Sequence, residues 1–153
     1  HGLLVSAAKG LVGEDSASLL GSLLVNGIAL AGLSRINASP SDRRPFFLYV
    51  DEVQSFATPL FCELLSEFRK FGIGLVVSHQ YVGQLSEDLR NAVFGNVGTS
   101  IAFRIGFSDA ALFAGGDQEK ADYLNLSNYH AYVRLMINGA PSRAFSATLA
   151  RHN

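Results

Sequence analysis

Two short apolar runs, Phe46 to Val50 (FFLYV) and Ile73 to Ser78 (IGLVVS), stand on either side of one amphipathic stretch, Leu60 to Phe71. Apolar runs of this length, rich in β-branched and aromatic residues, suit strands buried on both faces. Between them Phe61, Leu64, Leu65, Phe68 and Phe71 recur at helical spacing with Glu63, Glu67 and Lys70 opposite, and Gly72 then stops the helix. Strand, helix, strand is a parallel crossover unit, and open α/β sheets bind ligands beyond the carboxyl ends of their strands. Those ends are polar here: Asp51 and Glu52 follow the first run, His79 and Gln80 the second.

The alternation extends in both directions. Gly2 to Ala8 (GLLVSAA) reads as a strand, and Asp15 or Ser16 offers an N-cap for the helix that follows. Asn37 to Pro45 (NASPSDRRP) is a loop rich in turn formers. Ser86 to Phe94 reads as a capped helix, Thr99 to Phe103 as a fourth strand and Ser108 to Ala114 as a short helix. His130 to Ile137 and Ser142 to Thr148 then flank Asn138 and Gly139, a pair that favours a hairpin turn. The expected fold class is α/β, with a mainly parallel sheet, flanking helices and a C-terminal β-hairpin, in a chain whose 153 residues fit one domain or a large piece of one. Ala17 to Leu33 carries no charge, but Ser18, Gly21, Ser22, Asn26, Gly27 and Gly32 leave it short of the ~20 strongly apolar residues of a membrane span, so a buried helix is expected.

Only 16% of residues are charged, against roughly 25% in typical domains, so much of the surface is expected to be covered by something. With 12 basic and 13 acidic residues the net charge is -1, which excludes a global positive field and makes any DNA contact local. The single cysteine, Cys62, excludes an internal disulfide and a cysteine zinc site, and suits a reducing, cytoplasmic setting. The chain opens on His1 and runs at once into apolar sequence, as a fragment of a longer protein would.

An apolar strand closed by two acids has the form of a Walker B element, where the first acid holds Mg²⁺ through its water shell and the second polarises the attacking water. A solvated helix cap has the same pattern. Arg69 at a helix end suits either a phosphate contact or a favourable interaction with the helix dipole, and the dipole applies equally to Lys70. Arg104, within an apolar run, reads as a phosphate contact or as an ion-paired or snorkelling core arginine. His79 could join Asp51 and Glu52 as direct metal ligands or Ser78 as a nucleophile pair, but neither a G-x-S-x-G elbow nor H-x-x-x-H spacing supports those arrangements. Tyr129, Tyr132 and Phe145 suit hairpin packing better than base stacking.

The stretch FFLYVDEVQSFATPLFCELLSEFRKFGIGLVVSHQYVGQL, Phe46 to Leu85, together with NAVFGNVGTSIAFRIG, Asn91 to Gly106, resembles the VirD4/TraG/TraD type of conjugative coupling protein and its HerA and FtsK relatives. KGLVGEDSASLLGSLL upstream and NYHAYVRLMINGAPSRAFSA downstream extend the resemblance over nearly the whole chain. It implies the C-terminal part of a RecA-like P-loop ATPase that pumps DNA, with ATP and Mg²⁺ between subunits of a hexamer. It assigns the acid pair to Asp51 and Glu52, with Asp51 the Mg²⁺ acid, the γ-phosphate sensor to Gln80 and an inter-subunit arginine finger to Arg69, while Arg104 remains an additional nucleotide-contact candidate. Implied partners are DNA, identical subunits and components of a secretion or conjugation machine, with any membrane anchor in segments outside this chain. The departure is the phosphate loop: no G-x-x-x-x-G-K-[ST] occurs, so the loop is expected upstream of His1 and the chain alone is expected not to hydrolyse ATP. The expected strand order is Gly2 to Ala8, Phe46 to Asp51, Ile73 to Ser78, a vacant slot for the phosphate-loop strand, then Thr99 to Phe103 and the hairpin. A repair or packaging translocase, a metal-dependent hydrolase and a non-catalytic interaction module are the alternatives.

Overall fold

The computed structural model describes residues 3–6, 13–114 and 118–150, which divide into two units, His1–Asn96 and Val97–Asn153. The first is organised on β1 (Phe46–Val50) and β2 (Ile73–Val77), which pair in parallel from Phe46 opposite Ile73 to Val50 opposite Val77. Their connection runs through a 3-10 turn at Val53–Ser55, α2 (Pro59–Leu65) and a second 3-10 turn at Phe68–Phe71. Thr58 starts α2: its Oγ1 accepts a hydrogen bond from the Phe61 amide at 3.2 Å and donates to Asn26 Oδ1 at 2.8 Å, while Pro59 takes a position where no amide is missed.

The single helix expected over Leu60 to Phe71 is instead two pieces. From Leu64 onward the backbone makes i to i+3 bonds, Glu67 N to Leu64 O and Lys70 N to Glu67 O, each 2.9 Å. That tighter winding eclipses residues three apart and turns Phe68 and Phe71 together into the core. Gly72 closes the turn in the left-handed region at φ 72°, as its position in the sequence suggests.

One face of the strand pair supplies Leu48, Val50, Ile73, Leu75 and Val77 to a core shared with Phe61, Leu64, Leu65, Phe68 and Phe71. Leu89 and Val93 of α3 (Glu87–Asn96) complete it, with Ser86 Oγ accepting the Leu89 amide at 3.3 Å. On the other face Phe47 and Tyr49 are 62% and 71% exposed and Val76 is exposed as well, so the strands are covered on one side only among the described residues.

Helix α1 (Glu14–Leu33) is held by a stripe of small residues. Ala17, Gly21, Val25, Ala29 and Gly32 are buried, and a Cβ added to Gly32 would lie 2.5 Å from Ile73 Cδ1, so glycine permits this close approach. The expectation of a buried helix therefore holds for that stripe, while Leu19, Leu20, Leu23 and Leu30 are exposed. The segment Glu14–Asn37 is long and apolar enough to cross a membrane by length and composition. Its N-cap is Gly13, with φ 83° and no side-chain cap, rather than Asp15 or Ser16. Leu3 to Ser6 form no strand, and the remainder of the expected strand, Gly2, Ala7 and Ala8, lies outside the described residues.

In the second unit β3 (Ser100–Ala102) is followed by α4 (Phe107–Phe113), α5 (Lys120–Leu124) and β4 (His130–Arg134). The chain ends in β5 (Met136–Ile137), β6 (Ala140–Pro141) and β7 (Phe145–Thr148). Strands β3, β4 and β7 pair antiparallel in that order, and β5 and β6 form the hairpin tip. The turn is where Asn138 and Gly139 put it, with φ 52° and 82°. Tyr123 is the core of this unit, its ring 4.9 Å from that of Tyr132 and 6.1 Å from that of Phe113. Burial raises its phenol above the ordinary tyrosine value.

The mainly parallel sheet is thus corrected: β1 and β2 are the parallel pair, and all other described pairings are antiparallel, because β3 takes the returning strand β4 as its partner. Among the described residues β2 and β3 lie in separate sheets, one in each unit. The core makes a direct prediction. Phe61 is fully buried and 5.8 Å from the Phe68 ring, so Phe61→Ala should destabilise the fold by about 3–5 kcal/mol. Urea unfolding measures this, and a change below about 1 kcal/mol would contradict the assigned core.

Candidate functional site

The parallel register brings the carboxyl ends of β1 and β2 side by side. The ladder continues past the strands, with Ser78 N bonded to Val50 O and Val53 N to Ser78 O, both at 3.0 Å. These bonds anchor the backbone on either side of Asp51 and Glu52. Asp51 is exposed, and its Oδ1 accepts hydrogen bonds from Ser78 Oγ and, at 3.1 Å, from the Glu52 amide. Its Oδ2 has no hydrogen bond to the described residues and is open to solvent-borne donors.

Glu52 adopts the left-handed conformation, φ 51° and ψ 52°, which costs a side-chain-bearing residue of order 1 kcal/mol. The bend turns the carboxylate back over the strand ends, where both its oxygens are held by amides. Gln80 Nε2 donates to Oε1 at 3.0 Å and Gln54 Nε2 to Oε2 at 2.5 Å. Reversing the Gln54 amide would set oxygen against oxygen, so the glutamate fixes its orientation. Gln54 Oε1 and His79 Nδ1 remain buried without a hydrogen-bond partner.

Asp51, Glu52 and Gln80 therefore meet at the carboxyl ends of β1 and β2. Ser78 and Gln54 complete the cluster in roles the sequence did not reveal. Ser78 could be found from the parallel register, which sets it just beyond Val77 and opposite Asp51, but no spacing rule marks Gln54. His79 does not join the carboxylates as a ligand: no group of three His, Cys, Asp or Glu able to hold a metal ion occurs among the described residues. Cys62, in α2, packs partly against the core, and burial followed by the charge of Asp88 raises its thiol above the usual range, away from a nucleophile.

Arg69 lies elsewhere in the first unit, and Arg104 belongs to the second. Arg69 sits in the 3-10 turn that precedes β2, at the amino end of the strand whose carboxyl end bears Gln80. Five residues of strand, about 16 Å, separate those ends, so Arg69 does not reach the acid cluster of its own chain. Arg104 follows β3 in a bend and is exposed, because the strand ends at Ala102. It does not interrupt a strand, which removes the reading of a core arginine.

Acids and an amide gathered at the carboxyl ends of a parallel pair stand where open α/β sheets bind ligands. No family model and no curated protein sequence matches the chain. Among solved structures, it is similar to the genome packaging NTPase from Sulfolobus turreted icosahedral virus 2 in complex with AMPPCP, with a TM-score of 0.59 and 16% sequence identity. The likeness covers 86% of this chain and 63% of the viral one, so the chain spans under two thirds of that protein's length. At this identity the likeness is one of fold, and it agrees with the α/β class expected from the sequence.

Proposed function

We propose that this chain is the Walker B and sensor part of an ATP-driven DNA motor of the P-loop class. The observation that carries the reading is the cluster of Asp51, Glu52 and Gln80 at the ends of β1 and β2. Asp51 suits Mg²⁺ held through water, since one carboxylate oxygen is fixed by Ser78 and the other is open. Mg²⁺ there would neutralise charge on a nucleotide's phosphates. Glu52 is the general base: its carboxylate, aimed by Gln54 and Gln80, orients a water and takes its proton. Gln80, touching Glu52 from the neighbouring strand, is suited to sense the terminal phosphate.

The triphosphate cradle does not fit within this sequence, which has no phosphate-loop motif. On this reading the loop belongs to a strand from the longer protein, added along the free edge of β2. The similarity to a genome packaging NTPase supports a motor working on a nucleic acid, and the resemblance to coupling proteins adds a cytoplasmic ring of identical subunits. The resemblance to conjugative coupling proteins makes secretion or conjugation the first choice of machine. Arg69, unable to reach its own site, acts in trans on the nucleotide of the next subunit. Arg104 is a second nucleotide-contact candidate.

In the full-length protein, Asp51→Asn and Glu52→Gln should each lower ATP turnover by about 100-fold or more, with nucleotide still bound by Glu52→Gln. Steady-state ATPase and nucleotide-binding assays check this, and near-full turnover of either variant would remove the acid-pair assignment. Arg69→Ala should also be inactive, yet mixing it with Asp51→Asn subunits should restore turnover at interfaces that combine an intact site with an intact arginine. Mixed rings no more active than the separate variants would make Arg69 structural.

A further inference from the structure

The amino end of the strand pair carries a second cluster, opposite in charge to the first. Arg35 Nη1 donates to the carbonyls of Arg44 and Phe71, at 3.0 and 3.2 Å. Arg43 donates through Nε to Ala38 O at 3.1 Å and through Nη1 to Lys70 O. Gly72 lies against the same segment, where an added Cβ would be 3.4 Å from Arg43 Cβ and 3.9 Å from Arg44 O. The loop expected over Asn37 to Pro45 is thereby stitched onto the 3-10 turn that bears Arg69.

The stitching has an electrostatic result. Arg35 and Arg43 donate to carbonyls, which hold their side chains without cancelling their charge. Lys70 is paired with Glu67 at 2.8 Å. Arg44 and Arg69 are exposed, and their side chains have no hydrogen bond or ion pair with the described residues. Two free guanidiniums thus sit on a framework fixed by two others, at the end of the sheet remote from Asp51 and Glu52.

We propose that Arg44 joins Arg69 as a phosphate-contacting residue, and that this edge meets the nucleotide held at Asp51 and Glu52 of a second copy of the chain. This rests on the nucleotide reading above. A basic edge and an acidic edge at opposite ends of one strand pair complement each other head to tail, a heterologous contact that closes into a ring when its rotation allows. The ligand is compact: two free guanidiniums suit the dense charge of one triphosphate, whereas DNA affinity is gathered over many phosphates and this chain has a net charge of -1. Guanidinium planes also match phosphate oxygens in pairs, which a lysine does not.

The test uses the full-length protein with Arg44→Gln and Arg44→Lys. Arg35 holds the carbonyl of Arg44 and not its side chain, so both substitutions leave the framework in place. Arg44→Gln should lower kcat by about 100-fold with DNA absent, while nucleotide affinity in a Glu52→Gln background changes little. Arg44→Lys should recover part of the loss, and mixing Arg44→Gln with Asp51→Asn subunits should restore turnover. Full kcat in Arg44→Gln beside an inactive Asp51→Asn would overturn the proposal and leave the nucleotide site standing. Loss of DNA affinity with a shallower salt dependence, at unchanged DNA-free kcat, would make the edge a DNA contact and overturn it as well. Full activity of Asp51→Asn would sink the nucleotide reading and this inference together. If Arg44→Gln does not fold, Arg44→Met, which keeps the alkyl stem, takes its place with the same outcomes.

Discussion

The parallel pairing of β1 with β2 is the constraint on which the rest depends. Its register sets Val50 beside Val77, and the two backbone bonds beyond it fix Ser78 against Asp51 and bring Gln80 to Glu52. Slipping one strand by a single residue would exchange Leu48 and Val50 with Phe47 and Tyr49 across the sheet and separate the acids from their partners. The same pairing separates charge: acids gather at the carboxyl ends, guanidiniums at the amino ends. Acidic and basic groups are thus held apart at opposite ends of one strand pair.

Apolar surface is also left outside the core of the first unit: among the described residues the outer face of β1 and β2, Phe47, Tyr49 and Val76, is exposed. α1 presents Leu19, Leu20, Leu23 and Leu30 outward in the same way. Exposed apolar patches of this kind go with a sequence in which only 16% of residues are charged.

What could be read from the sequence was what local chemistry decides. FFLYV followed by Asp51 and Glu52, Gly72 as a stop and Asn138-Gly139 as a turn each carry their own backbone instruction, and each is found in the structure. What could not be read depends on partners distant in the chain. The break in the helix before Phe68 follows from two phenylalanines sharing one core pocket, and the antiparallel company of β3 follows from the returning strand β4. At the site, Asp51, Glu52 and Gln80 were visible as polar ends of apolar runs. Gln54 was not, because its role depends on the left-handed bend at Glu52, and glutamate gives no local sign of that conformation. The framework around Arg69 was hidden likewise, since a loop of turn formers does not announce that its arginines will bond carbonyls of the 3-10 turn at Phe68–Phe71.

The central claim is that the carboxyl ends of β1 and β2 are half of a nucleotide site completed by a strand along β2. A structure of the full-length protein with Mg²⁺ and a non-hydrolysable ATP analogue tests it most directly. The account predicts a phosphate-loop strand hydrogen-bonded to Ile73–Val77, with Asp51 in the water shell of the metal and Glu52 facing the terminal phosphate. A nucleotide bound away from Asp51 and Glu52, or a β2 edge paired with a strand that carries no phosphate loop, would contradict it.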